Sequence, residues 1–232
     1  MSADITIDIY SQLEISKICG SVICGDRADD TNAWQKIKRN NDEAFKLKQL
    51  YGDFYVPGFH IHPDFIEESI AKMDWMTKNG FSLIGELVPY SDGWNNYSSP
   101  EFSCLLDEAG KRDLVVSFHS QGEDEMNKMV QGHPDVVFVA AHPGEYRELM
   151  QHIERMKQNE NYFLDLSGTG MFRYGMLRRI IDTVGVDRIL FGSDYPICAP
   201  AMFLGGILFD NTLRDSEKEK ILALNAKKLL KL

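Results

Sequence analysis

Four stretches of the chain end on a side chain that can bind a metal or move a proton. They are Phe81-Ser82-Leu83-Ile84-Gly85-Glu86, Leu114-Val115-Val116-Ser117-Phe118-His119, Val136-Val137-Phe138-Val139-Ala140-Ala141-His142 and Ile189-Leu190-Phe191-Gly192-Ser193-Asp194. Taken singly, each has a plain structural explanation: Asp194 caps the segment that follows, and a strand-ending histidine is a hydrogen-bonded core residue. Two imidazoles flanked by two carboxylates at equivalent positions favour a site instead. A buried carboxylate is costly unless it is paired, hydrogen-bonded or bound to a metal. The donor set Glu86, His119, His142 and Asp194 suits a divalent metal, Zn²⁺ first, with Mn²⁺ or Fe²⁺ as alternatives. Such an ion lowers the pKa of bound water to about 7 and polarises a carbonyl. Asp194 would then accept the proton of that water, and His142 would orient or protonate the substrate.

These four residues share a site only if the strands that carry them run the same way. The pattern around them satisfies this. Short apolar runs at 18–24, 54–61, 81–87, 114–119, 136–142, 162–167 and 189–194 alternate with helical spacings. Those helices are expected at 3–15, 33–51, 64–79, 100–110, 122–132, 145–158, 176–184 and 215–231. Asp64 is a candidate N-cap for the third, and Asp215 or Ser216 for the last. The segment from Pro196 to Gly206 reads as a Pro/Gly-rich loop. Strand–helix alternation implies a parallel sheet covered by helices, and in a parallel barrel the C-terminal strand ends meet at one mouth. The expected fold is a single α/β domain over 1–232, a (β/α)₈ TIM-like barrel. No strand is followed by Gly-x-Gly-x-x-Gly, which removes the usual dinucleotide fingerprint.

Composition narrows the classes of partner. A chain of 232 residues with 44% hydrophobic residues can bury one sizeable core. Its formal net charge of −10 argues against nucleic acid, which requires a basic patch, and against anionic membrane surfaces. No apolar run approaches the roughly 20 residues of a membrane span, and no signal peptide is expected. Cys19, Cys24, Cys104 and Cys198 form no Cys-x-x-Cys pair and read as reduced, mostly buried thiols of a cytoplasmic protein. The expected partner is a small-molecule substrate, and a homo-oligomer is one assembly open to the chain.

Five motifs together resemble the amidohydrolase superfamily, in its amidohydrolase-2 branch of metal-dependent hydrolases and aminocarboxymuconate-semialdehyde-type decarboxylases. They are His119 after its apolar run, Ala141-His142-Pro143-Gly144, Leu164-Asp165-Leu166-Ser167-Gly168, Phe191-Gly192-Ser193-Asp194-Tyr195-Pro196 and Asn225-Ala226-Lys227-Lys228-Leu229-Leu230. The resemblance runs from about residue 13 to the C-terminus. It implies a distorted (β/α)₈ barrel with a mononuclear or binuclear metal centre. His119 and Asp194 match metal ligands. His142 matches a histidine that is a ligand in binuclear members and catalytic in mononuclear ones. Gly85-Glu86 resembles the strand-four pair of relatives in which the Glu binds metal.

One departure stands out. The family opens on an Asp-x-His-x-His first strand, and this chain shows none, so the expected barrel has its first strand missing or altered. Three explanations compete. The strand lies upstream of this chain, and 3–15 is the helix that precedes the second barrel strand. Alternatively, Ile7-Asp8-Ile9-Tyr10-Ser11-Gln12 is the motif without its histidines, although a parallel crossover needs a dozen or more residues before the next strand. Or His60 and His62, whose i, i+2 spacing puts both rings on one strand face, take over. An incomplete barrel exposes sheet edges, which closure on seven strands, residues 1–15 or a partner chain would have to cover.

Among weaker candidates, Arg173 would pair with a substrate carboxylate or be a solvated loop arginine. Trp94 and Tyr97 would wall the pocket or pack their loop onto the barrel. His133 and His152 read as structural and surface residues, and the Lys run 36–48 as a solvated helix face. The expected activity is a metal-dependent hydrolase acting on an amide, lactone or ester. Two alternatives stand beside it: non-oxidative decarboxylation of an aromatic or unsaturated acid, and a metal-free barrel with a binding or scaffold role.

Overall fold

The computed structural model describes residues 3–28, 30–170 and 173–232. Seven parallel strands lie in chain order in one curled sheet. They are β1 (Ile18–Gly20), β2 (Tyr55–Phe59), β3 (Leu83–Leu87), β4 (Val115–His119), β5 (Val137–Ala141), β6 (Tyr162–Asp165) and β7 (Ile189–Leu190). Between them run α1 (Ala3–Gln12, ahead of β1), α2 (Ala33–Tyr51), α3 (Ile66–Lys78), α4 (Pro89–Asp92), α5 (Pro100–Lys111), α6 (Glu123–Gly132), α7 (Tyr146–Gln158) and α8 (Met176–Val184). After β7 come α9 (Pro200–Leu208), α10 (Asp215–Glu219), a π-turn (Lys220–Leu224) and α11 (Asn225–Leu230). This is an incomplete (β/α)₈ barrel: no ladder joins β7 to β1 among the described residues. No helix among them is long and apolar enough to cross a membrane.

Period-two alternation divides each strand between two cores. Val56, Leu83, Val115, Val139 and Leu190 line the inner face. Phe59, Ile84, Val116, Phe138, Leu164 and Ile189 face the helices. On β4, His119 shares parity with inward Val115, and on β6 Asp165 shares parity with Phe163, which packs against the inner cluster.

On the open side, α1 and the C-terminal helices pack against the β7 end. Tyr10 of α1 joins the segment after β7, its hydroxyl 2.9 Å from Ser193 Oγ and its ring edge-on to Tyr195. Residues 7–12 are therefore helical and supply no first strand. The C-terminal helices close the β7 edge. Asn225 Nδ2 donates to the carbonyls of Val186 and Ile189, each at 2.8 Å. Wide π-type bonding sends the Asn225 amide to Lys220 O, which frees the Ile221 carbonyl. That carbonyl accepts from Phe191 N at 2.9 Å. Leu230 of α11 completes the inner cluster. Asn225→Leu would strand two buried carbonyls, so an expected loss of about 2–3 kcal/mol follows. Urea unfolding measures it, and an unchanged midpoint would show that the edge is held by other contacts.

Several local expectations are corrected. Residues 200–208 are helical, because Pro200 at the first turn suits a helix start. Phe65 rather than Asp64 precedes α3, and Arg214 rather than Asp215 or Ser216 precedes α10. Cys19 and Cys104 are exposed and Cys24 and Cys198 half-buried, with no disulfide among the four. Lys36 does not belong to a solvated face: it is 3% exposed and paired with buried Asp92 at 3.3 Å. His152 is not a surface residue but fully buried.

Candidate functional site

At the C-terminal ends of β3, β4 and β5, Glu86, His119 and His142 converge. One ligand atom from each lies within 4.8 Å of the others. Glu86 Oε1 is 3.2 Å from His119 Nδ1 and 3.4 Å from His142 Nε2. Ligand atoms bonded to one ion at about 2.1 Å stand about 3.0–3.4 Å apart, so the carboxylate-to-imidazole spacings fit a shared metal. The two imidazole rings meet edge-to-face, centroids 4.8 Å apart. Asp194 is not in this close group, but it senses the charges of His142, Glu86 and His119 from the end of β7.

The site's ionisation follows from burial opposed by pairing. Burial alone would raise the Glu86 carboxyl, but hydrogen bonds to His119 and His142 outweigh it and hold it at about 2. Burial alone would depress His142, yet Glu86 raises that imidazole to about 9. Asp194 is raised above its ordinary value by burial first, and Glu86 adds to the rise against His142 and His119.

A second carboxyl joins the group. Asp165 at the end of β6 is pushed up to about 6, chiefly by burial and against hydrogen bonds from Ser167. Ser167 N donates to Asp165 Oδ1 at 2.6 Å, and Ser167 Oγ lies 3.3 Å from His142 Nδ1. A polar chain thus runs Asp165–Ser167–His142–Glu86–His119. Sequence reasoning assigned Asp165 no role, although its strand-end position and inward parity were available signals.

Close glycines seat this chain. A Cβ on Gly168 would lie 2.3 Å from His142 Nδ1, and one on Gly192 would lie 2.0 Å from Asp165 Oδ1. Gly168 also has φ +69, where L side chains are strained. Gly168→Ala is expected to cost about 1–3 kcal/mol of stability and to displace the His142 ring. Thermal unfolding together with metal titration checks this, and wild-type values in both would refute it. Two site residues are themselves left-handed, His142 at φ +71 and Asp194 at φ +55.

The remaining candidates lie elsewhere. His60 Nε2 is 3.1 Å from Val22 O and His62 Nε2 is 2.9 Å from Asp92 O, both rings buried against carbonyls and outside the three-ligand group. Trp94 is buried beside Phe102, Tyr97 and His62, which packs its loop onto the barrel. Arg173 lies exposed, paired with Glu145 at 3.1 Å. His133 bonds Ser103 and the Met129 carbonyl.

A family model described as Amidohydrolase matches residues 25–232. The chain belongs to this family. Its fold recurs in solved structures. A 2,6-dihydroxybenzoate decarboxylase bound to 2,6-dihydroxybenzoate superposes with a TM-score of 0.78 at 17% identity, over 100% of this chain and 88% of that one. A dihydroxybenzoic acid decarboxylase from Polaromonas sp. JS666, with bound manganese and the inhibitor 2-nitroresorcinol, gives 0.75 at 15% over 100% and 86%. A 5-carboxyvanillate decarboxylase from Sphingomonas paucimobilis gives 0.74 at 12% over 97% and 82%. No curated protein sequence matches the chain significantly. At such identities these likenesses establish the barrel fold alone, and the reaction has to be argued from the site.

Proposed function

We propose that this amidohydrolase is a metal-dependent decarboxylase that removes CO₂ from an aromatic or unsaturated carboxylic acid without net oxidation. The observation that carries the reading is the Glu86–His119–His142 group, with Asp194 near but outside it, at the mouth of a fold shared with a manganese-bound dihydroxybenzoic acid decarboxylase. Hydrolysis would ask Asp194 to take a proton and decarboxylation would ask it to give one, and a raised carboxyl serves either role. The decarboxylases of the same fold add support, so the decarboxylase alternative displaces the hydrolase expected from the motifs.

Glu86, His119 and His142 would hold the metal. A bound divalent ion supplies positive charge that fixes the substrate's oxygen atoms. Asp194 delivers its proton to the carbon bearing the carboxylate. That carbon's new C–H bond uses a π-electron pair, and the pair of the breaking C–C bond returns to the unsaturated system as CO₂ leaves. The Asp194 carboxylate then regains a proton from solvent. Asp165 and Ser167 hold the far side of the His142 ring throughout. The three-donor set suits Mn²⁺ as well as Zn²⁺, and this reading no longer places Zn²⁺ first.

The test is CO₂ release from 2,6-dihydroxybenzoate, 5-carboxyvanillate and related hydroxybenzoates, with protein loaded with Mn²⁺ or Zn²⁺. Chelator-sensitive CO₂ release is expected. Hydrolysis of a lactone or amide panel with no CO₂ from any acid would sink the reading.

A further inference from the structure

Trp94 offers no open face to a ligand, because it is buried among His62, Tyr97 and Phe102. Four residues earlier, Tyr90 does. It is 65% exposed, yet its ring has a fixed neighbour. It meets the His119 imidazole edge-to-face, with centroids 5.3 Å apart and planes at 80°. His119 packs in turn on His142 and pairs with Glu86, so Tyr90 borders the metal-binding group directly. Other exposed tyrosines keep different company. Tyr146 lies beneath the Arg173 and Arg179 guanidinium groups, and the Tyr174 hydroxyl donates to Asn211.

The turn that carries Tyr90 is held from behind. α4 follows directly on β3, the strand that delivers Glu86. Its first and last residues, Pro89 and Asp92, are buried, and the Gly93 amide closes the turn on the Pro89 carbonyl. Lys36 of α2 donates to the Ser91 carbonyl and to Ser91 Oγ, and its ammonium lies 3.3 Å from Asp92 Oδ1. His62 Nε2 donates to the Asp92 carbonyl at 2.9 Å. Two residues along a helical turn point about 200° apart, so burying Asp92 sends Tyr90 to the open side. A tyrosine on a fixed turn presents a broad, flat contact surface at little cost in side-chain entropy, since two torsions place it.

We propose that Tyr90 is the substrate-binding wall of this site: a planar aromatic or conjugated acid lies against its ring while the acid's carboxylate reaches the Glu86–His119–His142 group. Aromatic rings attract one another in offset or edge-on contact, and a saturated ring of the same size lacks that attraction. Tyr90 thereby favours planar acids over saturated ones that carry the same oxygen atoms. The seat of the carboxylate rests on the metal-dependent reading above, whereas the preference for a flat ring does not.

The experiment measures binding of 2-hydroxybenzoate and of cis-2-hydroxycyclohexanecarboxylate by calorimetry, with and without Mn²⁺. Wild type, Tyr90→Phe and Tyr90→Ala are compared. Wild type and Tyr90→Phe are expected to bind the aromatic acid about 10-fold or more tightly than the saturated one. Tyr90→Ala should bring the two acids within about 2-fold of each other, by weakening the aromatic one. Mn²⁺ affinity should stay near wild type in both variants, because Tyr90 supplies no ligand atom. The exposure of Tyr90 makes misfolding of either variant unexpected, and the unfolding midpoint checks it. Equal binding of the two acids by wild type overturns the inference, as does failure to bind either of them. An aromatic preference that survives Tyr90→Ala, or one lost equally in Tyr90→Phe, also overturns it. If the protein takes up no Mn²⁺, the metal reading fails by itself, and the metal-free titrations still decide the role of Tyr90. If Tyr90 governs the preference but no acid loses CO₂, the decarboxylase reading fails and the wall stands.

Discussion

Replacing Glu86 by Gln is expected to abolish metal retention and turnover together. Glu86 is the one carboxylate in the three-ligand group, and its Oε1 faces both imidazoles at 3.2 and 3.4 Å. The amide keeps the shape and loses the charge, so Mn²⁺ affinity should fall by about 100-fold or more. The same substitution has a signature in metal-free protein. Glu86 is depressed to about 2, so its pairing stabilises the fold above the ordinary carboxylate range and is lost as pH falls through about 2. His142 is raised to about 9, so its share is complete below its ordinary value and is lost as pH rises through about 9. These are two views of one pair and count once. Denaturation at about pH 5.5 should therefore separate wild type from Glu86→Gln, and the gap should shrink by about pH 10. Metal uptake must also expel the His142 proton, so proton release on Mn²⁺ binding near neutral pH is expected in wild type. A variant that keeps its metal, or a stability gap independent of pH, would remove Glu86 from the centre of the site.

The residues legible in the amino-acid sequence are those that stand at ends. Glu86, His119, His142 and Asp194 each close a short apolar run, and parallel strands bring such ends together whatever the helices contain. The helices over 33–51 and 176–184 are legible for a similar reason, since their apolar spacing is local. What depends on register is hidden. Asp165 reaches His142 through Ser167 because β5 pairs with β6 at Phe138–Tyr162, and β6 with β7 at Leu164–Ile189. No single segment records those offsets. The freed Ile221 carbonyl that caps Phe191 likewise depends on a π-turn without a sequence code. The burial of His152, by contrast, is written in its spacing, against the surface position expected for it. Leu149, His152, Ile153 and Met156 fall at i, i+3, i+4 and i+7, so the histidine lies on the buried stripe of α7. Lys36 is the converse case: its helix is amphipathic, but only partners from other segments, Asp26, Ser91 and Asp92, explain why a lysine is buried there.

Asp194→Asn should part the two roles that the motifs gave to one residue. As a proton donor beside the metal group, Asp194 would be dispensable for the ion and indispensable for turnover. The variant is then expected to bind Mn²⁺ within a few-fold of wild type while kcat falls by about 10²–10⁴-fold. In wild type, burial raises the carboxyl, so the protonated, active form should persist above the ordinary carboxylate range. Its kcat should decline as pH climbs through that raised value, and this limb should vanish in Asp194→Asn. If Asp194 is instead a fourth ligand, Mn²⁺ affinity will collapse together with kcat. The proton would then have to come from another carboxyl. Asp165 is the next one along the mouth, raised to about 6 and tied to His142 through Ser167. Asp165→Asn would in that case inherit the loss of the high-pH limb, whereas under the Asp194 reading it should disturb the seating of His142 and leave the limb in place.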